Sequence, residues 1–321
     1  MDYFSQRDKV VQERIDRVMA DLPDFCKRFS LYCELKLSKL TESSYLYAIR
    51  QFFSYHAKQK NTIASMLTIN DLNSITTVDI ENWLTTFKGN IDMNTIIYRH
   101  SVMKTFLGYY YTRREIQQNV TEQILMPRLN EKPITRLTPH EVEQVLSAVE
   151  TYDKRRNQSH ILRDKTILTL FLSTGVRVSE LVGLDLKHID MENGSFIVTR
   201  KGGNIERLYM TDDLQIQLLY YLEAIDTSDE NTPLFLSREK TRLADNSIRD
   251  MVVKYIEFAG IKKRITPHKL RSTFGTALHR KTKDIFVVAQ ILGHASVNTT
   301  RKYYVAMDED IKRDAIAGFR Y

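Results

Sequence analysis

Over the first 126 positions, apolar residues recur three and four apart, the period of helices that bury one face. Leu40 to Tyr55 puts Tyr45, Ile49, Phe52 and Phe53 on one side, and Ile80 to Phe87 is a shorter repeat. Thr95 to Tyr111 sets Val102, Phe106 and Tyr109 or Tyr110 on another face, and the residues before Thr41 also read as helix. The pattern breaks at Pro127, where Pro127, Pro133 and Pro139 fall in a polar stretch containing Asn130-Glu131-Lys132. Proline removes a backbone donor and disfavours helix in the residue before it, so 127–137 reads as a linker. Beyond it, Thr138-Pro139-His140-Glu141 has a capping threonine, a first-turn proline and the glutamate of a capping box. This predicts a helix to about Val149, and a second should run from Leu162 to Ser173. The period then shortens. Leu184 to Asp190, Ser195 to Arg200 and Ile205 to Met210 are β-rich runs, separated by Asn193-Gly194 and Lys201-Gly202-Gly203-Asn204. They predict a three-stranded antiparallel sheet. Helices resume at about 212–224, 245–259, 268–280, 284–292, 298–306 and 308–317. The expected fold is mainly α with a small antiparallel sheet: a helical domain over 1–126 and an α+β domain over 138–321.

Composition adds limits. With 321 residues, 42% of them hydrophobic, two ordinary cores can be built. A net charge of +7 suits a polyanionic partner, but the excess is spread over both halves and forms no basic tail. Cys26 and Cys33 fall on one helical face about 10 Å apart along the axis, too far for a bridge that needs Cα atoms within about 7 Å. No Cys-x-x-Cys pair suggests zinc. The two thiols read as reduced core residues of a cytoplasmic protein. The N-terminus has no apolar signal region, and no later run is long and apolar enough to span a membrane.

Several polar residues form a possible chemical set. His268 and Arg271, behind Thr266-Pro267, are three apart and share a helix face, so both could grip one phosphate; a solvated face would carry the same pair. Arg177 follows Gly175 at a break between apolar helical runs. The helix dipole disfavours a cation at a helix start, whereas guanidinium suits bidentate phosphate binding. Glu180 could orient Arg177 or simply pair with it along the helix. Lys201, beside Arg200 at a hairpin tip, is either solvated or a mobile general acid whose pKa falls on desolvation. His294, after Gly293 at a helix exit, is either a phosphate donor or a capping histidine. Tyr303 and Tyr304 would point about 100° apart on a helix, so only one can face a site. Two arginines, two histidines, a lysine and a late tyrosine suit nucleophilic attack on a phosphodiester, without a carboxylate metal cage.

Together these residues resemble the tyrosine recombinase (lambda-integrase) family. The resemblance lies in the order Arg177, Lys201, His268-x-x-Arg271, His294, Tyr303. It lies also in the strings Thr174-Gly175-Val176-Arg177-Val178-Ser179-Glu180-Leu181, Arg200-Lys201-Gly202-Gly203, Thr266-Pro267-His268-Lys269-Leu270-Arg271 and Leu292-Gly293-His294. The family's nine-residue step from that histidine to its nucleophile selects Tyr303 over Tyr304. The match is strong over about 138–306. Upstream, Thr41 and Tyr45 through Phe52, with Thr95, Arg99 and Phe106, resemble the family's helical core-binding domain, although Val120 stands where proline is usual.

The resemblance implies a simple, Xer-like or Cre-like two-domain recombinase. Its catalytic residues would be Arg177, Lys201, His268, Arg271, His294 and Tyr303, with Glu180 in support and neither ATP nor metal required. It would cut and rejoin DNA through a 3′-phosphotyrosyl intermediate, to integrate or excise a mobile element or to resolve dimers. Expected DNA contacts are Lys39, Ser43, Arg50, Arg99, Lys104 and Arg200. The partners implied are a double-stranded recombination site, three further protomers in a tetrameric synaptic complex, and an accessory DNA-bending or directionality protein. A tail helix at about 308–319, with Ile311, Ala315 and Ile316 at helical spacing, would dock on a neighbouring protomer or pack in cis. Two rivals remain: a type IB topoisomerase or telomere resolvase with the same chemistry, and a non-catalytic DNA-binding regulator.

Overall fold

The computed structural model describes residues 3–127, 135–153, 157–200 and 202–293. The chain divides into two compact units, Met1–Glu131 and Lys132–Tyr321.

The first unit is helical among its described residues: α1 (Tyr3–Ala20), α2 (Cys26–Lys36), α3 (Lys39–Gln59), α4 (Ile69–Asn73), α5 (Thr77–Thr85) and α6 (Met93–Thr112). Ser38 starts α3 and Thr76 starts α5 by accepting a first-turn amide on the side chain, as N-caps do. The expected apolar faces meet in an aromatic core. Phe29 stands edge-on to Phe106 at 5.0 Å, Phe53 to Phe106 at 5.7 Å, and Phe52 to Trp83 at 5.4 Å. Tyr109 and Tyr110 are both buried, and each satisfies its hydroxyl on a backbone carbonyl, Arg28 O at 3.1 Å and Phe25 O at 2.7 Å. Cys26 and Cys33 are free and fully buried in this core. Burial pushes the Cys26 thiol far up; burial and the nearby Glu42 charge push Cys33 up to about 12.

In the second unit, α7 (Pro139–Thr151) opens with the predicted capping box. The Thr138 amide donates to Glu141 Oε2 at 2.7 Å, and the Glu141 amide to Thr138 Oγ1 at 3.2 Å. Residues before Thr138 already pack in this unit: Leu137 is buried, and its amide donates to Thr273 Oγ1 at 3.0 Å. Next comes α8 (Gln158–Thr174), which starts four residues earlier than its apolar repeat because Asn157 caps it through the Ser159 amide. A short α9 (Val178–Val182) leads to the antiparallel sheet β1 (Ile189–Asp190), β2 (Ser195–Thr199) and β3 (Ile205–Tyr209), in that order. Phe196 pairs with both Ile189 and Leu208. The remaining described helices are α10 (Asp212–Glu223), α11 (Asp245–Phe258), α12 (Pro267–Thr282) and α13 (Ile285–Leu292). The central α8 packs on α7, α10 and α12.

The expected strand over 184–190 is mostly absent; only Ile189–Asp190 extends. Residues 186–188 form a 3₁₀ turn, closed where the Asp185 amide donates to His188 Nδ1 at 2.9 Å. The backbone of this segment pairs instead with residues 230–234: the Leu234 amide donates to Leu184 O at 2.9 Å, the Leu186 amide to Thr232 O at 3.0 Å and the Lys187 amide to Glu230 O at 2.8 Å. Arg242 adds donors to the Val182 and Leu184 carbonyls and pairs with Asp185. The helices expected at 298–306 and 308–317 lie outside the described residues.

Candidate active site

Gly175 ends α8 in the left-handed conformation at φ 62°, and the chain turns at once into Arg177, the N-cap of α9. The Arg177 amide donates to Glu180 Oε2 at 2.8 Å, and its Nη1 to Glu180 Oε1 at 2.7 Å, so one carboxylate holds both ends of the arginine. Glu180 is buried, and Oε2 also accepts from Arg200 Nη1 at 2.9 Å. Buried charge requires this kind of pairing.

The three arginines converge on the end of α13. Arg177 Nη2 donates to Gly293 O at 3.0 Å, Arg200 Nη2 to Ile291 O at 3.1 Å, and Arg271 Nη2 to Leu292 O. Arg271, almost fully buried, also donates from Nη1 to Gly175 O at 2.5 Å. Both glycine turns therefore lie within reach of it. A helix C-terminus offers unpaired carbonyls and the negative end of the dipole, which explains the attraction. Three guanidiniums against Glu180 and Glu206 leave the cluster net positive, as a phosphate site requires.

His268, one turn ahead of Arg271 on α12, has an exposed side chain within the field of this cluster. Partial desolvation, then Arg271, Lys269 and Arg177, hold its imidazole below the ordinary value. This favours the neutral ring, the form that can accept a proton. The structure thus brings Arg177, Glu180, Arg271 and His268 together. Lys201, His294 and Tyr303 lie outside the described residues, although Arg200 and Gly293 abut the first two in the chain. Among the described residues, no group of three His, Cys, Asp or Glu side chains could hold a metal ion.

Arg200 differs from expectation. It is buried at 7% exposure rather than displayed to DNA, with Nε 2.7 Å from Glu206 Oε2. Burial opposes its charge, but Glu206 and Glu180 outweigh that and raise its pKa. Glu206 escaped the sequence reading, although the hairpin register carried a signal: Val198 pairs with Glu206, two residues before Arg200, which makes Arg200 and Glu206 diagonal neighbours.

The first-unit candidates fall into three kinds. Ser43 is buried, against expectation. Lys39, Arg50 and Lys104 pair with Glu34, Asp21 and Glu122 at 3.0, 2.8 and 2.9 Å. Such exposed pairs are worth at most about 1 kcal/mol, so a phosphate can displace them. Arg99 stacks over Phe87 at 3.8 Å, and its buried Nη1 has no hydrogen-bond partner among the described residues. Beside Phe87, a hollow of about 400 Å³ is lined by Tyr47, Arg50, Lys58 and Trp83 among others.

Known proteins resemble this chain in sequence and in fold. Residues 135–310 match the phage integrase family. The tyrosine recombinase XerC of Thermodesulfovibrio yellowstonii is 32% identical over 217 residues, covering 65% of this chain and 70% of that protein. XerC of Syntrophus aciditrophicus is 27% identical over 293 residues, covering 88% and 93%. The solved Tn1549 transposon integrase in complex with circular intermediate DNA shares the fold, with a TM-score of 0.70 at 19% identity over 91% of this chain and 98% of that one.

Proposed function

The chain belongs to the phage integrase family, the tyrosine recombinases, and from that premise we propose that Arg177, Lys201, His268, Arg271, His294 and Tyr303 are its catalytic residues, with Glu180 in support. It is a site-specific DNA recombinase that cuts and rejoins DNA. One observation carries the residue assignment: Arg177 and Arg271, far apart in sequence, meet at Leu292-Gly293, directly before His294.

In the proposed reaction, Tyr303 Oη attacks the scissile phosphorus while neutral His268 accepts its proton. A 3′-phosphotyrosyl bond forms, the P–O5′ bond breaks, and Lys201 protonates the departing 5′-oxygen. Arg177, Arg271 and His294 stabilise charge on the non-bridging oxygens, where prearranged donors act most strongly. Rejoining reverses these steps with a 5′-hydroxyl from the other duplex. The phosphotyrosine conserves the bond energy, so no step consumes a nucleotide. The chemistry serves integration, excision and dimer resolution equally. The relatives are recombinases and integrases, which favours strand exchange over relaxation by a topoisomerase or sealing by a telomere resolvase.

DNA is the partner. We propose further that four protomers assemble on two duplexes, that residues 308–319 dock on a neighbour, and that an accessory protein bends DNA or sets direction. Affinity should come mostly from phosphate contacts.

The assignment is tested on a nicked duplex that traps the covalent complex. Tyr303→Phe should abolish trapping and keep DNA binding, while Tyr304→Phe should still trap. Trapping lost in Tyr304→Phe but kept in Tyr303→Phe would overturn the choice of nucleophile.

A further inference from the structure

Three consecutive carbonyls, Ile291 O, Leu292 O and Gly293 O, each accept from a different arginine: Arg200, Arg271 and Arg177. These arginines come from three separate elements, so the turn after α13 is fixed from all of them. Arg200 is unlike Arg177 in its setting. The Arg177 side chain keeps 33% exposure, whereas that of Arg200 keeps 7%. Arg200 Nε and Nη2 grip Glu206 at 2.7 and 3.2 Å, Nη1 binds Glu180 at 2.9 Å, and Nη2 also reaches Ile291 O at 3.1 Å. Guanidinium has few donors beyond these, so little is left for a phosphate. Gly293 lies against its plane: a Cβ there would sit 2.9 Å from Arg200 Cζ and Nε.

The main chain of Arg200 closes the hairpin as well. Its amide donates to Asn204 O at 2.7 Å, and its carbonyl accepts from Gly203 N at 3.1 Å. Arg200 is thus tied at the backbone to the turn and at the side chain to α9, β3 and α13.

We propose that Arg200 is a positioning residue: it locks the β2–β3 hairpin to the C-terminal turn of α13 and so sets where Lys201, the next residue, meets the leaving oxygen. This rests on the reading of Lys201 as general acid. Adjacent Cα atoms are about 3.8 Å apart, so a shift in the anchored Arg200 passes directly to Lys201. A lysine at 200 would keep the charge but lose the planar fork that holds two carboxylates and a carbonyl at once.

The test compares single-turnover cleavage of an ordinary nicked duplex with one carrying sulfur in place of the bridging 5′-oxygen. In both, the Tyr303 Oη–P bond forms; P–O5′ breaks in the first and P–S5′ in the second. An oxygen leaving group needs a proton, and a thiolate does not. Arg200→Ala should bind DNA normally and cleave the ordinary substrate about 100-fold more slowly, the scale of a misplaced catalytic group. It should recover most of that loss on the sulfur substrate, as Lys201→Ala should, and Arg200→Lys should follow it. If Lys201→Ala is not rescued by sulfur, the general-acid reading fails and takes the inference with it. If Lys201→Ala is rescued while Arg200→Ala or Arg200→Lys stays slow on both substrates, or cleaves both normally, the positioning role alone is overturned. Should Arg200→Ala not fold, Glu206→Gln, which removes one ion pair and keeps the shape, carries the comparison under the same outcomes.

Discussion

His268 stands among Arg271, Lys269 and Arg177, and desolvation adds to their effect in favouring the neutral ring. A general base must be unprotonated before it acts, so these surroundings suit the role proposed for His268. The sign of the pH effect follows. Protonation sets in only as pH falls through a folded pKa below 6.5, so the cleavage rate should hold to that point and decline beneath it. The profile should be taken at subsaturating DNA, where it reports the free enzyme. An acid limb centred above pH 6.5, or one that survives unchanged in His268→Gln, would remove His268 from the base role. Glu180 acts differently: one buried carboxylate pairs with both Arg177 and Arg200, so the two arginines share a pivot.

At the scale of elements, the junction between α8 and α9 depends on a missing side chain. Gly175 has φ 62°, and a Cβ there would lie 2.5 Å from Phe274 Cδ1 and 2.7 Å from Leu292 Cδ2. Gly175→Ala adds left-handed backbone strain to overpacking, which together should cost about 2–4 kcal/mol in a urea unfolding measurement. Because Gly175 O also accepts from Arg271, cleavage should fall with stability. A loss under about 1 kcal/mol would mean that Phe274 and Leu292 yield easily. Helices with one apolar face were legible in the sequence because burial writes its period into them, as Ile49, Phe52 and Phe53 of α3 show. The segment 184–188 was not, since its backbone bonds to residues 230–234 and to the Arg242 side chain, both far along the chain. The first-turn pairing of Arg177 with Glu180 was readable from spacing. The burial of Arg200 was not, because Glu180 and Ile291 reach it only through tertiary folding.

For the whole molecule, the proposed assembly on two duplexes can be tested by a deletion. If residues 308–319 dock on a neighbour, deleting 308–321 should weaken synapsis of two duplexes far more than binding of one, as gel mobility and crosslinking would report. Unchanged synapsis would remove the docking proposal. The two thiols of the first unit have a different use. Cys26 and Cys33 are the only cysteines in the chain, and both are buried and held protonated. Thiolate is the reactive form, so the native protein is silent toward alkylating reagents until that unit opens. Their rate of labelling is therefore a built-in clock for opening of the first unit alone, and a cysteine introduced on the surface would carry a dye without competition.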